Sequence, residues 1–565
     1  MMHRLARRGL IGTTAGALGG AALALTLSHP LWGSLLGLAV GAIYAIVVLP
    51  TREGYLDRIM SGGALGIPLW GLFSVIAIPV LSGARPQWGA AQMRGYFPAL
   101  VGWMTFGAVL ALLVKALDRL AAAAFGPEAR PAPPDPEPVQ NILILGGGFA
   151  GMRTAACLEH EFQGNPSVAI TLVSETNALL FTPMLAEVAG GSLEPSHIST
   201  PLRSSLHRTA FIRGRVRSID LERRVVELVD PEAGGARPRP LTYDHLVLAL
   251  GAVSNYLGMA SVEKLAFNFK TLLDAIRIRN HVIEMFERAD REPDPAVRAP
   301  MLTFVVAGGG FAGVELAGAI NDFAHGILAD YPNLREPELR TLLVHSRDRI
   351  LPELSESLAR YALRKMEERG IQFRLNTRLT GAEPGKVLLG ETAIPAETLV
   401  WTAGTAPNPL LKSLPVAKDK RGAVVVDSTM AVPGHPGVWA LGDCAALTDA
   451  RRGAACPPTA QYAMREAQTL AANLHAAWSG RPGRPFHFDS LGALCVVGFQ
   501  TACAELTLPF ARDRSIRFSG LLAWLMWRGI YLAKLPGVER KTRVLIDWTI
   551  ELFFPRDIVQ TIDLK

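Results

Sequence analysis

The run Asn141-Ile142-Leu143-Ile144-Leu145-Gly146-Gly147-Gly148-Phe149-Ala150-Gly151 decides the fold, because its hexapeptide GGGFAG returns at residues 308–313 behind Leu302-Thr303-Phe304-Val305-Val306-Ala307. Both copies follow a continuous apolar run of the kind a buried parallel strand requires, and both lead into an Ala-rich helical stretch. In such a unit the first glycine (Gly146, Gly308) makes the tight turn. The second (Gly148, Gly310) lets the backbone approach a diphosphate, and the third (Gly151, Gly313) packs helix on strand. Free N–H groups at the helix start then receive the anion. One loop of this kind is weak evidence in a chain with 54 glycines. Two in matching context imply two dinucleotide sites on one polypeptide.

The 565 residues suffice for roughly three or four domains, and 49% of them are hydrophobic. The excess lies in the first 120 residues, where four apolar stretches run Leu10 to Ser28, Leu31 to Pro50, Ala64 to Leu81 and Phe97 to Val114 without an Asp, Glu, Lys or Arg. Each is near the length a helix needs to cross a bilayer, which predicts a four-span membrane domain. Arg4, Arg7 and Arg8 precede the first stretch, Arg52 and Arg58 fall between the second and third, and Arg85 and Arg94 follow the third. This asymmetry predicts a multi-pass protein of the cell inner membrane with both termini in the cytoplasm. Arg7-Arg8 before an apolar run also fits an export signal, but three further spans follow it.

The net charge of +7 comes without finger spacing or aromatic-interleaved basic clusters, so no nucleic acid is expected, and an anionic lipid surface is the better partner. Five cysteines without a CxxC indicate neither a disulfide framework nor a metal site. Six prolines between 127 and 138, among Glu128, Asp135 and Glu137, read as a stiff linker on the order of 35 Å long.

From Val139 short apolar strands alternate with helices, the pattern of a doubly wound α/β sheet. The second strand, Val168 to Val173, ends at Ser174-Glu175, about where a carboxylate meets a ribose, although Glu175 comes one position late. A further strand closes at Gly251, and the second nucleotide unit spans about 301 to 404. Gly437-Val438-Trp439-Ala440-Leu441-Gly442-Asp443 delivers an aspartate beside a glycine, either a turn aspartate or a holder of a cofactor hydroxyl.

These residues resemble the two-dinucleotide-binding flavoproteins and, among them, the type II NADH:quinone oxidoreductases, over roughly 139 to 565. The resemblance implies FAD on the first glycine loop, NADH on the second, and the Asp443 carboxylate on the flavin ribityl chain. Phe181-Thr182-Pro183-Met184-Leu185 resembles the segment beside the isoalloxazine, which puts Pro183 there, and Glu315 resembles the glutamate near nicotinamide and flavin. A paired helix-start carboxylate is the plainer reading of Glu315. Ala460-Gln461-Tyr462-Ala463-Met464-Arg465 is similar to the quinone segment AQxAxQ, with Arg465 where the second glutamine belongs. The strand that ends in an acid for the NADH ribose reads Val344-His345-Ser346-Arg347 here, which leaves NADPH open.

The expected architecture is therefore α/β, with two Rossmann-like domains in a glutathione-reductase-like arrangement. A four-helix all-α transmembrane domain (1–126) and the linker (127–138) precede an FAD-binding segment (139–258), an NAD(P)H-binding domain (259–405) and a second FAD-binding segment (406–490). An amphipathic membrane-binding region (491–565) follows, in which Leu521, Leu522, Trp524, Leu525, Trp527, Tyr531 and Leu532 mix with Arg517, Arg528, Lys534, Arg540, Lys541 and Arg543. An ordinary helix docked on the enzyme body is the alternative to this membrane-binding reading. The implied activity is a non-pumping respiratory NADH dehydrogenase that reduces a membrane quinone, since the spans lack the mid-membrane ionisable groups of a proton relay. They are expected to be an anchor. A sulfide:quinone oxidoreductase would need a central redox cysteine, and none lies between Cys157 and Cys444. A non-catalytic, membrane-tethered redox sensor is the remaining alternative. Oligomeric state is open, with a homodimer among the options.

Overall fold

The structure, a computed structural model, describes residues 9–20, 30–48, 54–84, 95–125, 140–229, 239–508 and 511–560. The Pro-rich linker and Arg4, Arg7, Arg8, Arg52, Arg85 and Arg94 lie outside the described residues.

The two glycine loops sit in two sheets of the same design. In the first, five parallel strands run in the order Val438–Ala440, His245–Leu248, Gln140–Leu145, Val168–Ser174, Ala210–Arg213. In the second the order is Phe267–Asn268, Thr398–Trp401, Thr303–Ala307, Arg340–Val344, Gln372–Arg374, again all parallel. Each loop leaves a strand flanked on both sides, which is why Ile142 to Leu145 and Thr303 to Ala307 are buried without alternation. The loops open at the carboxyl edge of their sheets, where ligands bind in such folds.

A three-stranded antiparallel sheet, Gly492–Gly498, Thr501–Leu508 and Ala511–Gly520, leads into the helices Leu521–Lys534 and Val538–Ile550. Among the described N-terminal residues, 9–20, Pro30–Val48, Tyr55–Leu81 and Phe97–Phe125 are helical, and two helices, Tyr55–Leu81 and Phe97–Ala121, are long and apolar enough to cross a membrane. These two cross at backbone contact, because a Cβ on Gly62 would run into the Gly107 carbonyl and one on Gly66 into that of Trp103. The Trp103 indole N–H donates to Ser74 Oγ at 2.8 Å.

Two expectations change. The third apolar helix begins at Tyr55 rather than Ala64, so Asp57 and Arg58 belong to it, and Arg58 is buried instead of lying between spans. The Leu521–Lys534 helix does not offer a lipid-facing stripe below a solvated basic face. Leu522, Trp524, Met526, Trp527 and Leu532 are buried, as are Arg528 and Lys541. Its apolar side is covered by the Tyr55–Leu81 helix and the rest of the protein, which periodicity alone does not distinguish from lipid. Exposed apolar residues gather further on, at Ile546, Ile550, Leu552, Phe553 and Phe554.

Candidate active site at the two glycine loops

Gly146 (φ +113°) and Gly308 (φ +124°) take a backbone conformation that a side chain would strain. Their N–H groups donate to Val173 O at 2.8 Å and Val344 O at 2.9 Å, so the two turns are built alike. A Cβ on Gly151 would run into the Gly146 carbonyl, and one on Gly313 into that of Gly308. The second glycines are the reverse case. A Cβ on Gly148 would meet nothing within 4 Å, and one on Gly310 only Glu353 Oε1 at 3.9 Å. Gly148 and Gly310 begin the helices Phe149–Glu161 and Phe311–Ile327, and no side chain caps either start. Open space in front of uncapped helix N–H groups fits a diphosphate at both loops.

Gly442 and Asp443 reach the first loop from the edge strand Val438–Ala440, one strand removed from Gln140–Leu145. Gly442 (φ +71°) would place a Cβ 3.2 Å from Ala150 Cβ, and its N–H donates to Glu466 Oε2 at 2.7 Å. Burial pushes the Glu466 carboxyl up to about 7, against the pull of that N–H. Gly251 (φ +66°) follows the intervening strand, His245–Leu248, and its carbonyl accepts the Asn408 N–H at 3.3 Å. Glu175 behaves differently. Its carboxylate is more than half exposed and pairs with Arg215 at 3.3 Å, while it is Ser174 that a Cβ on Gly147 would strike, Oγ at 2.7 Å. In the second unit His345 holds the position of Ser174, and its Nδ1 accepts the Gly309 N–H at 3.1 Å. Burial and then Arg347 lower its pKa, which favours the neutral ring.

Glu315 and Pro183 line one half-open cavity with Trp524, Trp527, Phe499 and Val496 from the C-terminal region. Glu315 Oε1 accepts the Val496 N–H at 3.2 Å, and burial pushes its carboxyl up to about 8. Opposite it Arg528 bonds Glu551 at 2.5 Å and stands 3.7 Å from Glu187, stacked over the Trp524 ring. Glu551 also accepts from Ser192 at 2.7 Å. Burial lifts Glu187 to about 7, with Arg528 opposing. Sequence reasoning missed Glu187, Arg528 and Glu551. Glu187 lies only two residues beyond the FTPML segment, but its partners come more than 340 residues later.

Gln461 and Arg465 do not line this cavity. They lie on the Ala460–Trp478 helix, which packs along Phe149–Glu161. Gln461 Oε1 accepts from Ser490 Oγ at 3.1 Å, and the Arg465 guanidinium lies over Phe488, 5.4 Å from its centroid. Burial and then Arg465 lower the pKa of Lys534, the last residue of the Leu521–Lys534 helix.

Residues 140–467 match the family described as pyridine nucleotide-disulphide oxidoreductase, and residues 491–557 match the NDH2 C-terminal domain. A type II NADH:quinone oxidoreductase of Mycobacterium tuberculosis is 29% identical over 432 residues, 74% of this chain and 89% of its own. A probable NADH dehydrogenase of Dictyostelium discoideum is 30% identical over 430 residues, covering 74% and 91%. The structure of NDH2 from Plasmodium falciparum in complex with NADH shares the fold, with a TM-score of 0.67 at 18% identity over 74% of this chain and 99% of that one. With its duplicated glycine loops, the strand that ends in Gly442-Asp443 and the matched C-terminal domain, the chain belongs to the type II NADH:quinone oxidoreductase family.

Proposed function

We propose that this chain oxidises NADH, and also NADPH, and passes two electrons and two protons to a membrane quinone without pumping. Segments 139–258 and 406–490 hold FAD, and 259–405 holds the nicotinamide nucleotide. FAD bound across the first loop would supply the ring that accepts hydride from the nicotinamide and hands electrons to the quinone.

The protein's own residues bind, orient and dry the site. Gly148 and Gly310 keep space open for the two diphosphates, and the N–H groups behind them carry the charge complement. Glu466 fixes the Gly442 turn and with it the direction of Asp443 toward a ribityl hydroxyl. Trp524, Trp527 and Phe499 exclude water from the cavity. Glu315, protonated below about pH 8, holds a proton at its carboxyl where quinone reduction consumes one. Gln461 and Arg465 border the ring from the Ala460–Trp478 helix.

The observation that supports this reading most is the junction at the cavity, where Glu315 of the second nucleotide unit, Pro183 of the first and the C-terminal tryptophans face one space. Four membrane spans with both termini in the cytoplasm complete the reading, supported by the arginine asymmetry and by two helices long enough to cross. Stopped-flow mixing of the flavin-loaded protein with each nucleotide, then with a quinone, tests the activity. Impermeant labelling of cysteines placed near Pro30 and Gln87 tests the topology, and labelling from the cytoplasmic side alone would reject it.

A further inference from the structure

The helix Tyr55–Leu81 lies wholly before the matched family region, which begins at residue 140, yet it packs on the Leu521–Lys534 helix, which forms a wall of the cavity. It runs along the Leu521–Lys534 helix at backbone distance. A Cβ on Gly529 would stand 2.9 Å from the Ala64 carbonyl oxygen, and one on Gly71 2.6 Å from Leu522 Cδ1. At Gly71 the span leaves α geometry for seven residues of π-helix, through Ala77. Such wide turns are rare and gather at functional positions. Trp70, Val75, Trp103, Leu522 and Trp524 form one apolar cluster, and Trp524 is also a wall of the Glu315 cavity. One side chain therefore belongs to both the packing of the span and the site.

The other end of this contact is ionic. Lys541, 2% exposed, donates to Asp57 Oδ1 at 2.7 Å and to Ser61 Oγ. A buried ammonium is tolerated only with partners in good geometry, so the pair fixes the register between span and tail. A helix serving only as an anchor needs no such register.

We propose that the Tyr55–Leu81 helix is a positioning element for quinone reduction. The Lys541–Asp57 latch seats the π-helical turn on Leu522, and this sets where Trp524 and Arg528 stand in the cavity. The proposal rests on the quinone activity proposed above.

The full-length, flavin-loaded protein tests it through both half-reactions followed by stopped flow, with NADH as reductant and a short, water-soluble benzoquinone as oxidant. A wall displaced by about 1 Å costs up to about 100-fold, so Asp57→Asn should slow quinone reoxidation by roughly 10- to 100-fold and leave flavin reduction by NADH within about twofold. The exchanged pair Asp57→Lys with Lys541→Asp should restore most of the rate. Gly71→Ala should slow the same step, and Leu522→Ala in the same chain should relieve it. If Asp57→Asn does not retain flavin, the Gly71 and Leu522 variants decide the matter. Wild-type reoxidation in the Asp57 and Gly71 variants, equal slowing of both half-reactions, or failure of both rescues would overturn the latch while leaving the quinone activity standing. A wild-type protein that reduces no quinone would overturn both.

Discussion

The Glu315 carboxylate accepts the backbone N–H of Val496 at 3.2 Å, tying the helix behind the second glycine loop to the C-terminal sheet. That bond holds a buried acid between the second glycine-loop unit and the C-terminal region. The acid stays protonated at neutral pH because burial outweighs the help from the N–H.

This gives a pH dependence with a definite sign. The Glu315 pKa rises from 4.5 in the unfolded chain to about 8 in the folded one, so between these values the folded state binds more protons. Its contribution is complete below 4.5 and is lost as pH rises through 8. Glu187, raised to about 7, acts in the same direction. The melting temperature of Glu315→Gln should fall less than that of the wild type between about pH 5 and 8. Parallel profiles would show that the carboxyl is not held neutral. The same variant should slow quinone reoxidation and spare reduction by NADH.

The second glycines separate the two cofactor sites. Because a Cβ at Gly148 or Gly310 meets almost nothing in the protein, valine there obstructs only a ligand. Gly148→Val should fold and lose FAD, seen as the missing yellow absorbance of a protein with unchanged circular dichroism. Gly310→Val should stay yellow and resist reduction by NADH. Loss of flavin from the Gly310 variant instead would reverse the assignment of the loops.

His345 gives a test of nucleotide choice. It stands against Gly309 where a carboxylate would accept ribose hydroxyls and repel a 2′-phosphate, with Arg347 two residues on. NADPH should therefore reduce the protein, and His345→Glu should lower kcat/KM for NADPH at least about tenfold while sparing NADH. An unaltered ratio of the two nucleotides would mean that the ribose lies elsewhere.

The sheets and the loops were legible because local signals carry them: apolar runs and glycines at fixed offsets. Glu315 and Pro183, which line one cavity, were singled out only by the family resemblance. Counting from the glycines does not say which of two adjacent residues faces the loop: Ser174 stands against Gly147, while Glu175 pairs with Arg215 at the surface. The Glu187–Arg528–Glu551 group and the Lys541–Asp57 pair join residues hundreds of positions apart, so no window of sequence contains them. The tail was legible as an amphipathic helix, but its apolar face would look the same against lipid or against Tyr55–Leu81.

Gln461 and Arg465 give a test of the ring's other border. Ala at either position should slow reoxidation by quinone and leave reduction by NADH within about twofold. Arg465→Ala should also raise the Lys534 pKa, since that guanidinium, after burial, holds it down. Unchanged reoxidation in both variants would remove the Ala460–Trp478 helix from the quinone site.

The most direct measurement is sequential stopped flow on the membrane-reconstituted, flavin-loaded protein, watching the flavin absorbance. NADH should bleach it in a first phase, and a membrane quinone should restore it in a second whose rate rises with quinone concentration. Bleaching by NADH followed by no recovery with any quinone, but rapid recovery with a protein acceptor, would contradict the account.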